Sequence, residues 1–145
     1  MANERVALVT GASRGIGLET ARQLVARGWK VGITARGEAD LDIAAATLGH
    51  ENVEAVSCDV TDRASVEAAV TRIERRFGGI RALINNAGNT VKKPVAEMSD
   101  ADFASVMDTH VAGAFALTRA FLPQIRASGR GSVLFTASMA SYLGI

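Results

Sequence analysis

The 145-residue sequence has only one cysteine, one tyrosine, one tryptophan and two prolines. With Cys58 alone, the chain has no second thiol for an internal disulfide or for a multi-cysteine metal cluster, which fits a reducing compartment. No apolar run approaches the roughly 20 residues of a membrane span. The first residues also lack the n-region and cleavage pattern of a signal peptide. We therefore expect a soluble, cytoplasmic protein with no metal site and no membrane contact.

The sequence also lacks an excess of charge of either sign. Sixteen lysines and arginines against fifteen acidic residues leave a net charge of +1. A nucleic-acid binder would show a basic excess or stripe, so the composition gives no support to such a partner. The hydrophobic fraction of 48% and the charged fraction of 21% exclude intrinsic disorder. The length predicts a single globular domain over residues 1–145.

Strand-like and helix-like patterns alternate along the chain. Short apolar runs predict strands at 6–10, 31–35, 53–57, 82–85 and 132–136. Helical patterns lie at about 16–27, 39–48, between Asp62 and Gly78, and from about Ser99 to Ile125. Repeated strand–helix–strand units have right-handed crossovers, so they predict a parallel sheet with helices on both faces. The fold class is therefore α/β, a doubly wound sheet in a three-layer sandwich.

The helical patterns also group apolar side chains on one side of a helix. The first helix presents four apolar residues on one side: Ile16, Ala21, Leu24 and Val25. In the last helix, Ser99 and Asp102 resemble a capping box. Read as a regular helix, it places these residues on one inner side: Phe103, Val106, Met107, His110, Ala114, Leu117 and Phe121.

A glycine-rich segment joins the first predicted strand to the first predicted helix. Residues 10–17 read Thr-Gly-Ala-Ser-Arg-Gly-Ile-Gly. Glycines let backbone N–H groups approach a pyrophosphate, and a helix N-terminus adds partial positive charge. A glycine cluster can also be a simple turn, but its place between a buried strand and a helix favours nucleotide binding.

Further motifs follow the third, fourth and fifth predicted strands. Asp59-Val60 follows the third, Asn85-Asn86-Ala87-Gly88 the fourth, and Ser138 lies just beyond the fifth. With the glycine segment, whose spacing is Thr-Gly-x-x-x-Gly-x-Gly, they resemble the short-chain dehydrogenase/reductase family from about Val6 to Ser138. The resemblance implies a Rossmann-type NAD(P)-binding domain over 1–145, incomplete at its C-terminal side. It corresponds to the N-terminal part of a longer family member.

The resemblance assigns cofactor-binding roles to the glycine segment and to the ends of the strands. The residues are Gly11, Ser13, Arg14, Gly15, Ile16, Gly17, Arg36, Asp59, Val60, Asn85, Ala87 and Gly88. Asp59 would hydrogen-bond the adenine amino group, with a helix-cap or loop carboxylate as the alternative. Arg36 stands where NAD-preferring members have an acid, and with Arg14 it could pair with a 2′-phosphate. This favours NADP over NAD, unless both arginines are merely solvated.

The catalytic groups of the family are only partly present. In the family, a serine orients the carbonyl and an asparagine on the long helix supports a water relay. Ser138 matches the serine, with Ser141 as the rival position and a turn hydroxyl as the alternative role. His110 stands at the asparagine position. It could hold a relay water, or it could be a satisfied, partly buried histidine.

The family's proton-transfer pair, Tyr-x-x-x-Lys, is absent from the 145 residues. Tyr142 has no lysine four residues later, and an unassisted phenol is a poor base at neutral pH. We expect Tyr142 to be a loop residue. Lys92 and Lys93 match no catalytic position and are expected to be solvated.

Three functional hypotheses follow from the resemblance. The first is an NADP-dependent oxidoreductase that transfers hydride between NADP(H) and a small carbonyl or alcohol, inactive as this chain alone. The second is a non-catalytic NADP-binding module or truncated pseudo-enzyme. The third is a truncation product that does not fold stably, because one sheet edge and apolar helix faces would be uncovered. The family often assembles through the long helix, so we expect a homodimer or homotetramer. The sequence does not identify the substrate.

Overall fold

Five parallel strands form one sheet in the computed structural model, which describes residues 5–143. The strands are β1 (Val6–Thr10), β2 (Lys30–Ala35), β3 (Val53–Ser57), β4 (Ala82–Asn85) and β5 (Ser132–Phe135). Their order across the sheet is β3-β2-β1-β4-β5. The predicted doubly wound, Rossmann-type sheet is confirmed, and the strands differ from their predicted bounds by at most one residue at an end.

Helices cover both faces of the sheet. They are α1 (Gly15–Ala26), α2 (Glu38–Leu48), α3 (Arg63–Phe77), α4 (Asp100–Met107) and α5 (Ala114–Ala127). Short 3-10 turns lie at Val95–Glu97 and Met139–Ser141. None of the helices among residues 5–143 is long and apolar enough to cross a membrane.

The two faces of β1 belong to two separate cores. Leu8 packs in the core formed with α3 and α5, together with Ile73 and Phe121. Val9 points to the opposite side, into the core formed with α1 and α2, which includes Leu41. Because successive strand residues face opposite sides, a strand buried on both faces reads as a continuous apolar run.

The caps of α3 and α4 follow their sequence signals. Asp62 accepts a hydrogen bond from the Ser65 N–H at 2.9 Å and begins α3. The capping box between Ser99 and Asp102 is present. The Lys93 ammonium, 2.7 Å away, and the Ser99 N–H hold the pKa of Asp102 at about 2. Lys93 is exposed, as expected, and forms a surface salt bridge with Asp102.

A π-helical segment, Asp108–Gly113, joins α4 to α5. The prediction of one regular helix with a single inner side is wrong at this point. Downstream, Leu117 and Phe121 are buried as predicted, but upstream Phe103 is 61% and Met107 41% exposed. The π turn inserts extra residues, so the side chains before it are rotated away from those after it.

β5 forms one edge of the sheet. Among residues 5–143 it pairs with β4 alone, and Leu134 and Phe135 are 51% and 61% exposed. This matches the expectation of an uncovered sheet edge. Exposed apolar side chains on an edge strand favour further pairing or packing.

Candidate functional site

A cleft of ≈ 700 Å³ lies where the strands end at their carboxyl side. This is the edge of a doubly wound sheet at which such folds bind ligands. All of the predicted cofactor residues except Gly17 and Asn85 line it. Ile16 is among the lining residues and is 69% exposed, whereas Ala21, predicted on the same side of the helix, is buried.

The glycine segment forms one wall of the cleft. Gly11 has a φ of +63°, in the left-handed region that favours glycine. A Cβ on Gly17 would lie 2.3 Å from the carbonyl oxygen of Gly11. Gly17 therefore permits close packing behind the loop rather than lining the cleft. Arg14, the N-cap of α1, makes no side-chain cap, and the first turn has no acidic residue. The first N–H groups of α1 are thus suited to an anion.

Asn86 joins three elements of the site by hydrogen bonds. The sequence interpretation did not place it among the site residues. Its amide Nδ2 donates to the carbonyl oxygens of Thr10 at 3.1 Å and Gly11 at 3.3 Å. Its Oδ1 accepts from the Thr136 hydroxyl at 2.9 Å. The side chain therefore joins the glycine segment to the ends of β4 and β5. The sequence signal that could have identified Asn86 as a site residue is its position inside the Asn-Asn-Ala-Gly motif.

Thr10, at the end of β1, forms hydrogen bonds with the loop that follows β4. Its hydroxyl, fully buried, accepts from the backbone N–H groups of Asn86 at 3.0 Å and Ala87 at 2.9 Å. Buried N–H groups at a strand end need such partners. Thr10 and Asn86 together therefore hold the glycine segment against the loop after β4.

The end of β2 brings charged and polar groups to the cleft. Arg36 and Arg14 both line it, as does Asp40 from the first turn of α2. Thr34 is 1% exposed, and its hydroxyl has no hydrogen-bond partner among residues 5–143. A buried hydroxyl without a partner is costly in a protein interior. The Thr34 oxygen is itself buried from solvent, so the residue contributes to the shape of the cleft wall.

Asp59 and Cys58 line the cleft just after β3. The N–H and hydroxyl of Thr61 donate to the Asp59 carboxylate and hold its pKa below the ordinary value. Asp59 is therefore an acceptor at neutral pH. Burial raises the pKa of the Cys58 thiol, which stays protonated. Within residues 5–143, no three histidine, cysteine, aspartate or glutamate side chains are grouped as metal ligands.

Asn85 and His110 lie beside the main cleft and line a small adjacent cavity of ≈ 40 Å³. Asn85 is 7% exposed, and its Nδ2 donates to the Thr118 hydroxyl at 3.3 Å. It therefore braces β4 against α5. His110 is exposed, whereas one of the two roles predicted for it was a partly buried histidine. Its Nε2 lies within hydrogen-bond distance of the backbone of Asn89.

The serine and tyrosine positions lie beyond β5. The Ser138 hydroxyl accepts from the Ala140 N–H at 3.1 Å and caps the turn Met139–Ser141. Ser138 does not line the cleft, and Ser141 lies within the same turn. Tyr142 is 86% exposed, as expected of a loop residue. Residues 5–143 thus assemble a polar cleft at the strand ends, and Tyr142 and Ser138 do not line it.

Known protein families and solved structures include proteins that are similar to this chain in sequence and in fold. The profile of the family described as short chain dehydrogenase matches residues 5–145. The 3-oxoacyl-acyl-carrier-protein reductase FabG of Escherichia coli is 34% identical over 140 residues, which cover 97% of this chain and 57% of FabG. An actinorhodin polyketide ketoreductase structure with NADPH has a TM-score of 0.90 at 34% identity and covers 100% of this chain and 57% of that chain.

An alcohol dehydrogenase from the archaeon Thermococcus sibiricus, complexed with 5-hydroxy-NADP, also has a TM-score of 0.90, at 32% identity. The match covers 99% of this chain and 62% of that one. The chain therefore spans little more than half the length of the relatives that it matches, and it corresponds to their N-terminal portion. From the family match and the shared sheet, we conclude that this chain belongs to the short-chain dehydrogenase family.

Proposed function

We propose that this chain is the NADP-binding part of an oxidoreductase that moves a hydride between NADP(H) and a carbonyl or alcohol. The observation that carries the proposal is the pair of guanidinium groups, Arg14 and Arg36, that line one cleft. Guanidinium groups bind phosphate through paired charge-assisted hydrogen bonds. The relatives named with NADPH and 5-hydroxy-NADP support the same cofactor.

The residues of the cleft fit the parts of a dinucleotide. The free N–H groups at the start of α1 would hold the pyrophosphate, and the ionised Asp59 would accept from the adenine amino group. Arg14 and Arg36 would hold the 2′-phosphate. When bound, the nicotinamide supplies the hydride chemistry. The Ser138 hydroxyl accepts from the Ala140 N–H and caps a turn outside the cleft, so it has no part in this cofactor site.

Replacing Arg36 with aspartate tests the assignment of NADP. We expect Arg36→Asp to weaken NADPH binding at least about tenfold, since a hydrogen bond between charged groups contributes about 1.5–3 kcal/mol. NADH binding should be unchanged or tighter, because the new carboxylate can accept from a 2′-hydroxyl. Titration of each nucleotide by calorimetry measures both affinities.

Two matched variants control this experiment. Arg36→Lys keeps the positive charge but loses the planar fork, so its NADPH affinity should lie between those of the wild type and Arg36→Asp. Asp40→Asn removes the carboxylate that lines the same cleft and should tighten NADPH binding. An unchanged ratio of NADPH to NADH affinity in Arg36→Asp would contradict the proposed 2′-phosphate contact.

A non-catalytic NADP-binding module is the second candidate function. It is favoured by a specific observation: Ser138 caps a turn outside the cleft, and Tyr142 is 86% exposed. The two candidates share the cofactor and differ in turnover. Because this chain alone is expected to be inactive in both cases, carbonyl reduction by the whole oxidoreductase of which it would be a part separates them.

We also propose that two copies associate through an apolar stripe on the long helix. The stripe consists of four exposed residues at intervals of four: Phe103, Met107, Val111 and Phe115. Acidic side chains, Asp100 and Asp108, lie in the first half of this helix, and basic ones, Arg119 and Arg126, in the second. Antiparallel packing on a two-fold axis would bring opposite charges together along a shared stripe.

Val111→Ser is expected to weaken self-association about tenfold, because each copy loses part of the roughly 1.5 kcal/mol that a buried valine contributes. Sedimentation velocity over a range of concentrations measures the dissociation constant. Ile43→Ser is the matched control, since Ile43 is 66% exposed on α2, outside the stripe. A wild-type chain that stays monomeric, or equal weakening by Ile43→Ser, would refute the stripe as the interface.

A further inference from the structure

His110 contacts the loop after β4 through a single ring nitrogen. Its Nε2 lies 2.8 Å from the carbonyl oxygen of Asn89 and 3.2 Å from the backbone nitrogen of the same residue. The imidazole also lies against Gly88, where a Cβ would be 2.6 Å from the His110 Cε1. The ring and the glycine therefore fit each other closely.

The same loop residue is held from α4 as well. The Asn89 Nδ2 donates to the Ser105 hydroxyl at 2.8 Å and to the Ser105 carbonyl oxygen at 3.3 Å. Gly88 and Asn89 both form part of the wall of the main cleft. The helix of α4 and the π segment thus fixes this wall from two points, Ser105 and His110.

A ring nitrogen can satisfy only one of the two Asn89 groups at a time. With a lone pair, Nε2 accepts from the N–H of Asn89; with a hydrogen, it donates to the carbonyl oxygen. A side-chain amide has both a donor and an acceptor and could meet both groups together. The contact made by His110 is therefore one hydrogen bond shared between two partners.

We propose that His110 is a positioning residue, which holds the Gly88–Asn89 wall of the cleft through Nε2. This inference rests on the proposed function, because the wall that it holds is part of the proposed NADP cleft. The π segment makes the contact possible by placing His110 over Gly88. The ring therefore acts on the cofactor through the loop.

Two variants at position 110 test the proposal. His110→Leu removes the hydrogen bond and is expected to raise the NADPH dissociation constant about fivefold, the equivalent of about 1 kcal/mol. Amide exchange of Asn89, followed by NMR without NADPH, should accelerate by a similar factor of about five. His110→Asn should restore both values to within about twofold of the wild type, because its amide provides donor and acceptor.

The outcomes separate this proposal from a purely structural role and from the proposed function. If His110→Leu leaves Asn89 exchange unchanged, or if His110→Asn fails to rescue it, the proposal is overturned. If the wild type does not bind NADPH, the proposed function fails, while Asn89 exchange still decides the role of His110. Gly88→Ala provides a second route should His110→Leu not fold. Its Cβ displaces the ring and should also accelerate Asn89 exchange.

Discussion

The 145-residue chain is expected to bind NADPH without reducing a carbonyl substrate. General acid–base catalysis contributes typically 10²–10⁴-fold, and the chain has no Tyr-x-x-x-Lys pair to provide it. Tyr142 is 86% exposed, and Ser138 lies outside the cleft, where it caps a turn. We therefore expect a rate at least about 10³-fold below that of a full-length relative, since both proton transfer and positioning are missing.

NADPH oxidation at 340 nm in the presence of a 3-oxoacyl thioester, and of simple ketones, measures this rate. The Escherichia coli reductase FabG serves as the positive control for the assay, and a nucleotide titration of the same sample shows that the cleft is intact. Ser138→Ala should leave any background rate unchanged. A rate close to that of FabG would contradict the expected inactivity of this chain and would assign proton transfer to side chains other than the expected pair.

Replacing Thr10 with valine is expected to lower the free energy of unfolding by about 2–4 kcal/mol. The substitution keeps the shape of the side chain but leaves the N–H groups of Asn86 and Ala87 buried without their acceptor. Each unsatisfied buried donor costs about 1–3 kcal/mol. Thr10 is 0% exposed, so water cannot readily replace the hydroxyl.

Urea unfolding followed by circular dichroism measures this loss. Thr34→Val is a matched control, because Thr34 is equally buried on the neighbouring strand and its hydroxyl has no partner among residues 5–143. That variant should be as stable as the wild type or more stable, while Thr10→Ser should retain most of the stability. An equal loss from Thr10→Val and Thr34→Val would show that the two hydrogen bonds contribute nothing measurable.

The fold was predictable from the sequence wherever a local signal determined it. The strand β1 is a continuous apolar run because both of its faces are buried. Asp62 and Gly78 determine the two ends of α3 through a side-chain cap and a left-handed residue. The π segment was not predictable, because a search for a 3.6-residue helical period does not reveal a turn that contains inserted residues. The exposure of Phe103 and Met107 was therefore missed.

The candidate site was predictable at the positions that the sequence motifs single out. The glycine segment, Arg36 and Asp59 line the cleft as expected. Asn86, Thr34 and the contact between His110 and Asn89 depend on which strand ends lie side by side, and this follows from tertiary structure. A sequence pattern indicates that a polar residue follows a strand but not which backbone group it meets.

The strand order has a consequence for how the glycine segment works. β1 lies between β2 and β4. The chain therefore first extends the sheet from β1 through β2 to β3, and then crosses back to place β4 on the other side of β1. The Thr10 hydroxyl is bonded to an N–H group 76 positions away. The shape of the glycine segment is thus a long-range, high-contact-order property of the assembled sheet, and the β1–α1 unit alone does not possess it. Nascent chains that have not yet paired β4 with β1 would carry the motif but not the site.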